Sequence, residues 1–589
     1  MYRLRSLAGA VAILLAAAGV AISAEVLQQV PRDALGFIVV RNLAETDAKV
    51  SRVLGAAGSR LPGPLALLKS IAGIQAGLDE RRDMMIVLLP PEGETARFSL
   101  ALWLPVADFD ALVHSLDGDP GRRVAAVTLA GEDLLVVRQD DWAVVMDPDQ
   151  RNRLESLRDT KPTPPTQLAD WSDWVAANDA AIVVLPNGMK LVWSLAESEK
   201  LFEPLPPSQP GPAGQNLFGQ GRAPNGVADG WPAVRDWFRA TFAERPELAR
   251  WAKQAEGSAC GLRLDEAGNV VLRVQLDLDE DALPPLPDAA RASAVEAPPL
   301  YSSGDFVLTG GGQVSPRWLV PAVAPYVRQV ANDLANNYGI PVAEEDVAKF
   351  RSAVESAIAD VRAFAVLTRP GAADDAVFTS NFLAIRVTST KKFVDVAAEC
   401  IRLWNAMLDK PRAAMKLVFK SKEISVADRS GTEYSIDMAA AVNAPAIPEA
   451  RASMEKLFGP SALFRLQIVA VDEDTVLLAS ATEKQVAQVI EEMTKQPLGD
   501  GDRPELQETH KLHSPDRAWA LYMSPSGYTA WLKRWMDAVL GAVIGGPIVP
   551  QFPASPPVGL AGNVQGNEIW FEVAVPIQTL RGAGQFWRP

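Results

Sequence analysis

His510 and His513 stand as His-x-x-His, a spacing that on a helix turns two imidazoles toward one face, where a transition-metal ion could take both. Zinc sites need three or four ligands, and the one remaining histidine, His114, lies beside Asp110 on a helical pattern, off its Phe109, Leu112, Leu116 stripe. Residues 507–516 are polar and read as a loop, so both imidazoles are expected to be solvated. Phe306-Val307-Leu308-Thr309 leads into Gly310-Gly311-Gly312 and then Ser315, placing glycines between a strand and a helix, where backbone N–H groups could cradle a phosphate. Ser315 takes the place of the third glycine of the dinucleotide fingerprint, and no long βαβ pattern surrounds it. A flexible turn with Ser315 as helix N-cap is therefore expected.

Ser389 with Lys392, and Ser453 with Lys456, both fit Ser-x-x-Lys, in which a lysine can activate a serine. Neither Lys-Thr-Gly nor Ser-Asp-Asn accompanies them, and a solvated first helical turn capped by Ser or Thr is the expectation. Asp277, Asp279, Glu280 and Asp281 lack the glycine and closing glutamate of a calcium loop and read as a solvated strand end. Asp147-Pro148-Asp149 reads as the start of a helix and Asp472-Glu473-Asp474 as a turn. Trp171, Trp174, Trp193, Trp231, Trp237 and Trp251 could line a sugar or lipid groove, but aromatics recurring among Ala, Val and Leu usually pack a core. Gly-x-Ser-x-Gly, Walker, His-Glu-x-x-His and Cys-x-x-Cys motifs do not occur. A carboxylate pair brought together by folding stays open among 72 acidic residues. No catalytic, cofactor-binding or metal-ligating residue is assigned, and no cofactor is expected.

The elements that must hold these residues run twice in the same order. A strand feeding a helix (35–41 and 44–54; 305–309 and 315–330) precedes a strand pair and an amphipathic helix (84–89, 98–104 and 107–116; 363–368, 377–387 and 391–408). Hairpins with a further helix follow (124–146 and 149–157; 463–480 and 484–493). Each half next has a strand ending in Pro-x-Gly, at Pro186-Asn187-Gly188 and Pro525-Ser526-Gly527, where Pro presets one turn dihedral and Gly allows positive φ. Each closes on a hairpin in which Gly-Leu precedes Gly-Asn by seven positions: Gly261-Leu262 and Gly268-Asn269; Gly559-Leu560 and Gly566-Asn567. The expected fold is α+β, two similar halves, each an antiparallel-rich sheet with packed helices, related by internal duplication.

Residues 1–24 have the layout of a signal peptide: basic Arg3 and Arg5, an apolar run over 7–22, and small residues up to Ala24. The run is shorter than the roughly 20 residues of a spanning helix, which favours cleavage after Ala24 and leaves no integral membrane span; an uncleaved segment would anchor the chain to the membrane. The expected domains are 25–283, with a Pro/Gly-rich loop at 205–230, and 302–589, joined by a Pro-rich linker at 284–301. At 589 residues two domains are expected, and 48% hydrophobic with 22% charged residues is the composition of a folded chain. The net charge of −15 becomes −17 without Arg3 and Arg5, leaving 55 basic against 72 acidic residues, a field that repels nucleic acid and anionic membranes. Cys260 and Cys400 each fall on an apolar stripe and read as core thiols rather than a scaffold of disulfides, though a bridge between them stays open.

Val30-Pro31-Arg32-Asp33-Ala34-Leu35-Gly36-Phe37-Ile38-Val39-Val40 and Gly73-Ile74-Gln75-Ala76-Gly77-Leu78-Asp79 resemble the opening of uncharacterised exported proteins of planctomycete-type bacteria, a domain class of unknown function. The resemblance implies secretion and an α+β fold and carries no catalytic residue over. The expectation is an extracytoplasmic, periplasmic or secreted, non-enzymatic binding or scaffold protein whose partner is an unknown ligand or envelope component. The rival is an envelope hydrolase with a cleft between the halves.

Overall fold

The structure is a computed structural model, described here over residues 24–91, 99–159, 164–165, 168–197, 254–279, 305–314, 319–320, 326–330, 342–372, 375–408, 417–441, 448–495, 503–539, 549–565 and 567–587. It is α+β and forms two compact units, Met1–Ala282 with Gly566–Trp570, and Leu283–Gln565 with Phe571–Pro589. The expected linker at 284–301 and loop at 205–230 lie outside the described residues, as do Trp231, Trp237, Trp251 and Ser315. Among the described residues no helix is long and apolar enough to cross a membrane.

The first unit runs α1 (Ala24–Leu27), β1 (Gly36–Val40), α2 (Leu43–Ala56), α3 (Pro64–Ala72), β2 (Met84–Leu89), β3 (Ser99–Pro105) and α4 (Phe109–Ser115). It continues through β4 (Ala125–Leu129), β5 (Glu132–Gln139), β6 (Trp142–Met146), α5 (Arg151–Asp159), α6 (Leu168–Ala177), β7 (Ala180–Val184), α7 (Pro186–Glu197), β8 (Ala255–Leu264) and β9 (Val270–Leu278). Its sheet has the order β4-β5-β6-β3-β2-β1-β7-β8-β9, antiparallel throughout. Side chains alternate across the pleat, so Phe37 and Val39 enter one core with Leu154, Trp171 and Trp174, while Val40 enters another with Leu43, Leu65 and Leu112. Cover on both faces explains why β2 reads Met-Met-Ile-Val-Leu-Leu, with no polar alternation. Ala130 (φ 55) and Gly131 (φ 77) form the β4–β5 reversal, the primed turn that matches strand twist.

The second unit runs β10 (Leu308–Gln313), α8 (Glu344–Ala359), β11 (Val361–Thr368), β12 (Asn381–Val387), α9 (Thr390–Leu408), β13 (Lys420–Val426), β14 (Arg429–Asp437), α10 (Met438–Ala441) and α11 (Pro448–Phe458). After these come β15 (Leu463–Ala470), β16 (Thr475–Ser480), α12 (Glu483–Lys495), α13 (Pro504–His510), β17 (Trp519–Met523), α14 (Pro525–Val539), β18 (Val558–Gln565), β19 (Glu568–Val575), whose first three residues count with the first unit, and α15 (Ile577–Phe586). The order is β13-β14-β15-β16-β12-β11-β10-β17-β18, again antiparallel. Phe382, Ala384 and Leu477 pack under Val486, Val489 and Ile490 of α12, and Ile385, Val387 and Val476 under Phe393 of α9.

Two local expectations are corrected. The glycines 310–312 lie inside β10, paired on both sides, rather than in a turn between strand and helix. A Cβ on Gly311 would stand 2.3 Å from the Phe364 carbonyl oxygen, and one on Gly312 2.3 Å from that of Ala518. The residues are there for close strand approach, and their N–H groups are committed to the sheet. In both Pro-x-Gly segments the proline begins a helix, its missing N–H costing nothing at that position. Neither glycine has positive φ; a Cβ on Gly188 would stand 1.9 Å from the Leu35 carbonyl oxygen, and one on Gly527 the same distance from that of Phe306.

Candidate functional site

In the second unit, two clefts of about 450 and 700 Å3 flank the segment that follows β11, and Asp375 lines both. Both volumes fall within the range of small-molecule sites. β11 delivers Arg369, β12 begins directly after Ser380, and α12 presents Thr482, Lys484, Gln485 and Gln488 from its first turns. The start of α12 is fixed locally: the Thr482 N–H donates to Gln485 Oε1 (2.9 Å) and the Gln485 N–H donates to Thr482 Oγ1 (3.3 Å), a reciprocal capping box.

Gln485 then reaches into the cleft. Its Nε2 donates to Ser380 Oγ at 2.9 Å and to Asp375 Oδ2 at 3.3 Å, tying helix, strand and loop together. Ser380 is buried and holds φ at 103°, a conformation that costs a non-glycine residue on the order of 1–3 kcal/mol and is retained only where its surroundings demand it. Those surroundings are two backbone bonds, Ser380 N–H to the Ser480 carbonyl (2.8 Å) and Arg369 N–H to the Ser380 carbonyl (3.0 Å). Arg534 of α14 pins the loop from the other side, donating to the carbonyls of Pro370 and Asp375. Burial lowers the Arg534 guanidinium from its ordinary value, and the charge of Asp375 opposes that shift. Arg369 pairs with Glu492 of α12 at 2.9 Å. The floor is thus hydroxyl, amide and carboxylate held in one network, with Arg369 and Lys484 at its margin: an arrangement suited to recognising a polar ligand with both donors and acceptors.

The three histidines are all placed elsewhere. His114 is exposed on α4 in the first unit. Residues 504–510 form α13 rather than the expected loop; His510 at its end is half-buried and His513 just beyond is buried, where both were expected to be solvated. The Tyr522 hydroxyl lies 2.7 Å from His510 Nδ1, and Arg517 contacts the same ring. His513 is buried with its Nδ1 3.6 Å from Oε2 of buried Glu572, which also accepts the Ser514 N–H at 2.9 Å. Gly559 on β18 makes room for the His513 ring, since a Cβ there would stand 2.2 Å from Nε2. Among the described residues no group of three or more His, Cys, Asp or Glu could hold a metal ion.

The serine–lysine patterns resolve into helix chemistry. Ser389 Oγ accepts the Lys392 N–H at 3.3 Å at the start of α9, while Ser453 lies inside α11. Trp171 and Trp174 are buried edge to face, centroids 5.9 Å apart, in the first unit's core. Cys260 and Cys400 are free and half-buried. Arg369, Asp375 and Ser380 come from the β11–β12 connection, Gln485 from α12 and Arg534 from α14, three separate stretches of chain; the sequence signal for them is the Thr-x-x-Gln cap at 482–485, which marks one helix start and none of its partners. The chain matches no family model, no curated protein and no solved structure.

Proposed function

We propose that the chain is an exported, non-enzymatic binding or scaffold protein made of two duplicated α+β units, with the Ser380–Asp375–Gln485 cleft as the seat of its ligand. The observation that carries this reading is how the ionisable groups are used. His510, His513 and Glu572 hold the segment between α13 and β17, and the cleft's own polar groups are bonded to one another rather than arranged as nucleophile and base. Duplication is supported by strand order. Outward from β1 come β2, β3, β6, β5 and β4 on one side and β7 and β8 on the other; outward from β10 come β11, β12, β16, β15 and β14, then β17 and β18.

Export rests on the signal-type segment 1–24 and is in keeping with Val26, Leu27 and Val30, just beyond the expected cleavage point, packing in the first unit's core. On this reading the chain stands alongside the exported planctomycete-type proteins that its opening resembles, and its partner is a polar ligand or envelope component.

The test combines thermal shift with turnover. The whole chain is screened against neutral and zwitterionic sugars and short peptides, and against chromogenic esters, amides and glycosides. The expected result is stabilisation by a member of the first set, abolished in Gln485→Ala, with no turnover of the second. Turnover lost in Ser380→Ala would replace this reading with that of a hydrolase.

A further inference from the structure

The two clefts beside the segment that follows β11 share a wall, the stretch from Asp375 to Ser380. That wall is fastened from both sides. Toward the first cleft, Gln485 Nε2 holds Asp375 Oδ2 and Ser380 Oγ. Toward the second, the Val377 N–H donates to the Lys456 carbonyl (3.1 Å) and the Phe378 N–H to that of Leu457 (2.9 Å), tying the stretch to the end of α11, while Arg534 of α14 holds the Asp375 carbonyl. A wall bonded in this way is set before any ligand arrives, so a molecule that uses both clefts has to cross it. Asp375 stands at the crossing, half-buried. Its Oδ2 accepts from Gln485 and from the Ala372 N–H (3.0 Å), whereas its Oδ1 has no hydrogen-bond partner among the described residues.

The two clefts carry matching chemistry. Asp305 and Lys484 line the first, Lys456 and Asp537 the second; all four are exposed, and none has an ion-pair partner among the described residues. Each cleft therefore presents one uncommitted charge of either sign. No aromatic ring is among the described residues that line them, which removes the flat apolar surface against which a sugar face packs. A peptide matches what is left. It has N–H donors along its length, one of which meets Asp375 Oδ1 at the crossing, and its termini carry opposite charges. A single exposed charge pair contributes little, so the gain has to come from joining both clefts through one molecule.

We infer that the ligand is an extended peptide lying across Asp375, with one part in each cleft. This rests on the reading of the Ser380–Asp375–Gln485 cleft as the ligand seat, and adds to it the class of ligand and a second subsite.

The test is retention on the immobilised whole chain, read by mass spectrometry, of synthetic peptide pools two, four and six residues long with free termini, and of neutral oligosaccharide pools of the same lengths. Two extended residues reach about 7 Å, no more than one cleft, and six reach about 20 Å. Peptide retention should rise about tenfold from the shortest pool to the longest, with the oligosaccharides at background. A chain carrying both Lys456→Gln and Asp537→Asn, exposed side chains of the second cleft alone, should keep the retention of the shortest pool and lose the gain with length. Gln485→Ala should weaken every length. A flat length series, or a gain that survives the double substitution, overturns the inference and leaves the first cleft standing as the seat; so does retention of oligosaccharides in place of peptides. Peptide retention that is absent, or indifferent to Gln485→Ala, overturns the inference and the reading of the seat together.

Discussion

Cys400 sits on α9 with its thiol pushed up to about 11 by burial and by the charge of Glu399, and burial raises Cys260 as well. Only the thiolate reacts readily, so both cysteines should resist a thiol-specific disulfide reagent at pH 8 in the folded chain and react promptly in denaturant. A count of two thiols on unfolding is the predicted result; none would mean a bridge. Both residues were legible as stripe positions because an apolar neighbour recurs at strand or helix spacing. His510 and His513 were not legible. Their partners Arg517, Tyr522 and Glu572 follow at irregular separations, and the space for the His513 ring comes from Gly559, 46 positions later. A polar run around a histidine pair reads as solvated until the fold supplies the residues that bury His513 and partner His510.

At the scale of elements, strands with cover on both faces were the easiest to read, since a run such as 84–89 has no other use in a globular chain. The hairpin β13–β14 went unread for the opposite reason. β13 spells Lys-Ser-Lys-Glu-Ile-Ser-Val and pairs only with β14 among the described residues, and charges on such an edge guard against pairing with another chain while erasing the apolar alternation. β10 was read three residues early because three glycines look like a turn. Its place between β11 and β17 predicts that Gly311→Val, whose side chain would meet the Phe364 carbonyl and Ala365, destabilises the chain by several kcal/mol. The same change at Gln313, at the end of the strand, should cost under about 1 kcal/mol. Urea denaturation compares the two; equal tolerance would contradict the placing of the glycines inside the sheet.

For the molecule as a whole, the proposal of duplication rests on different residues from those that first suggested it. Gly261 faces Ala181 across the β7–β8 ladder, whereas Gly559 faces Tyr522 across β17–β18. If Pro186 and Pro525 are equivalent, Ala181 corresponds to Ala520, whose partner is Ala561, so the two Gly-Leu pairs stand two positions out of step. Pro-x-Gly is the better marker, because in both units its glycine lies against a carbonyl of the segment leading into the central strand. The order of hydrophobic runs survives in sequence; the cleft does not, since its members are joined by bonds across 105 positions and more, such as Gln485 to Ser380 and Arg534 to Pro370. The most direct measurement is a crystallographic soak of the whole chain with a panel of small polar fragments carrying hydroxyl, amide and carboxylate groups. The account predicts density bonded to Ser380, Gln485 or Asp375. Fragments that leave those three residues bare and gather instead at His510, Arg517 and Tyr522 would contradict it.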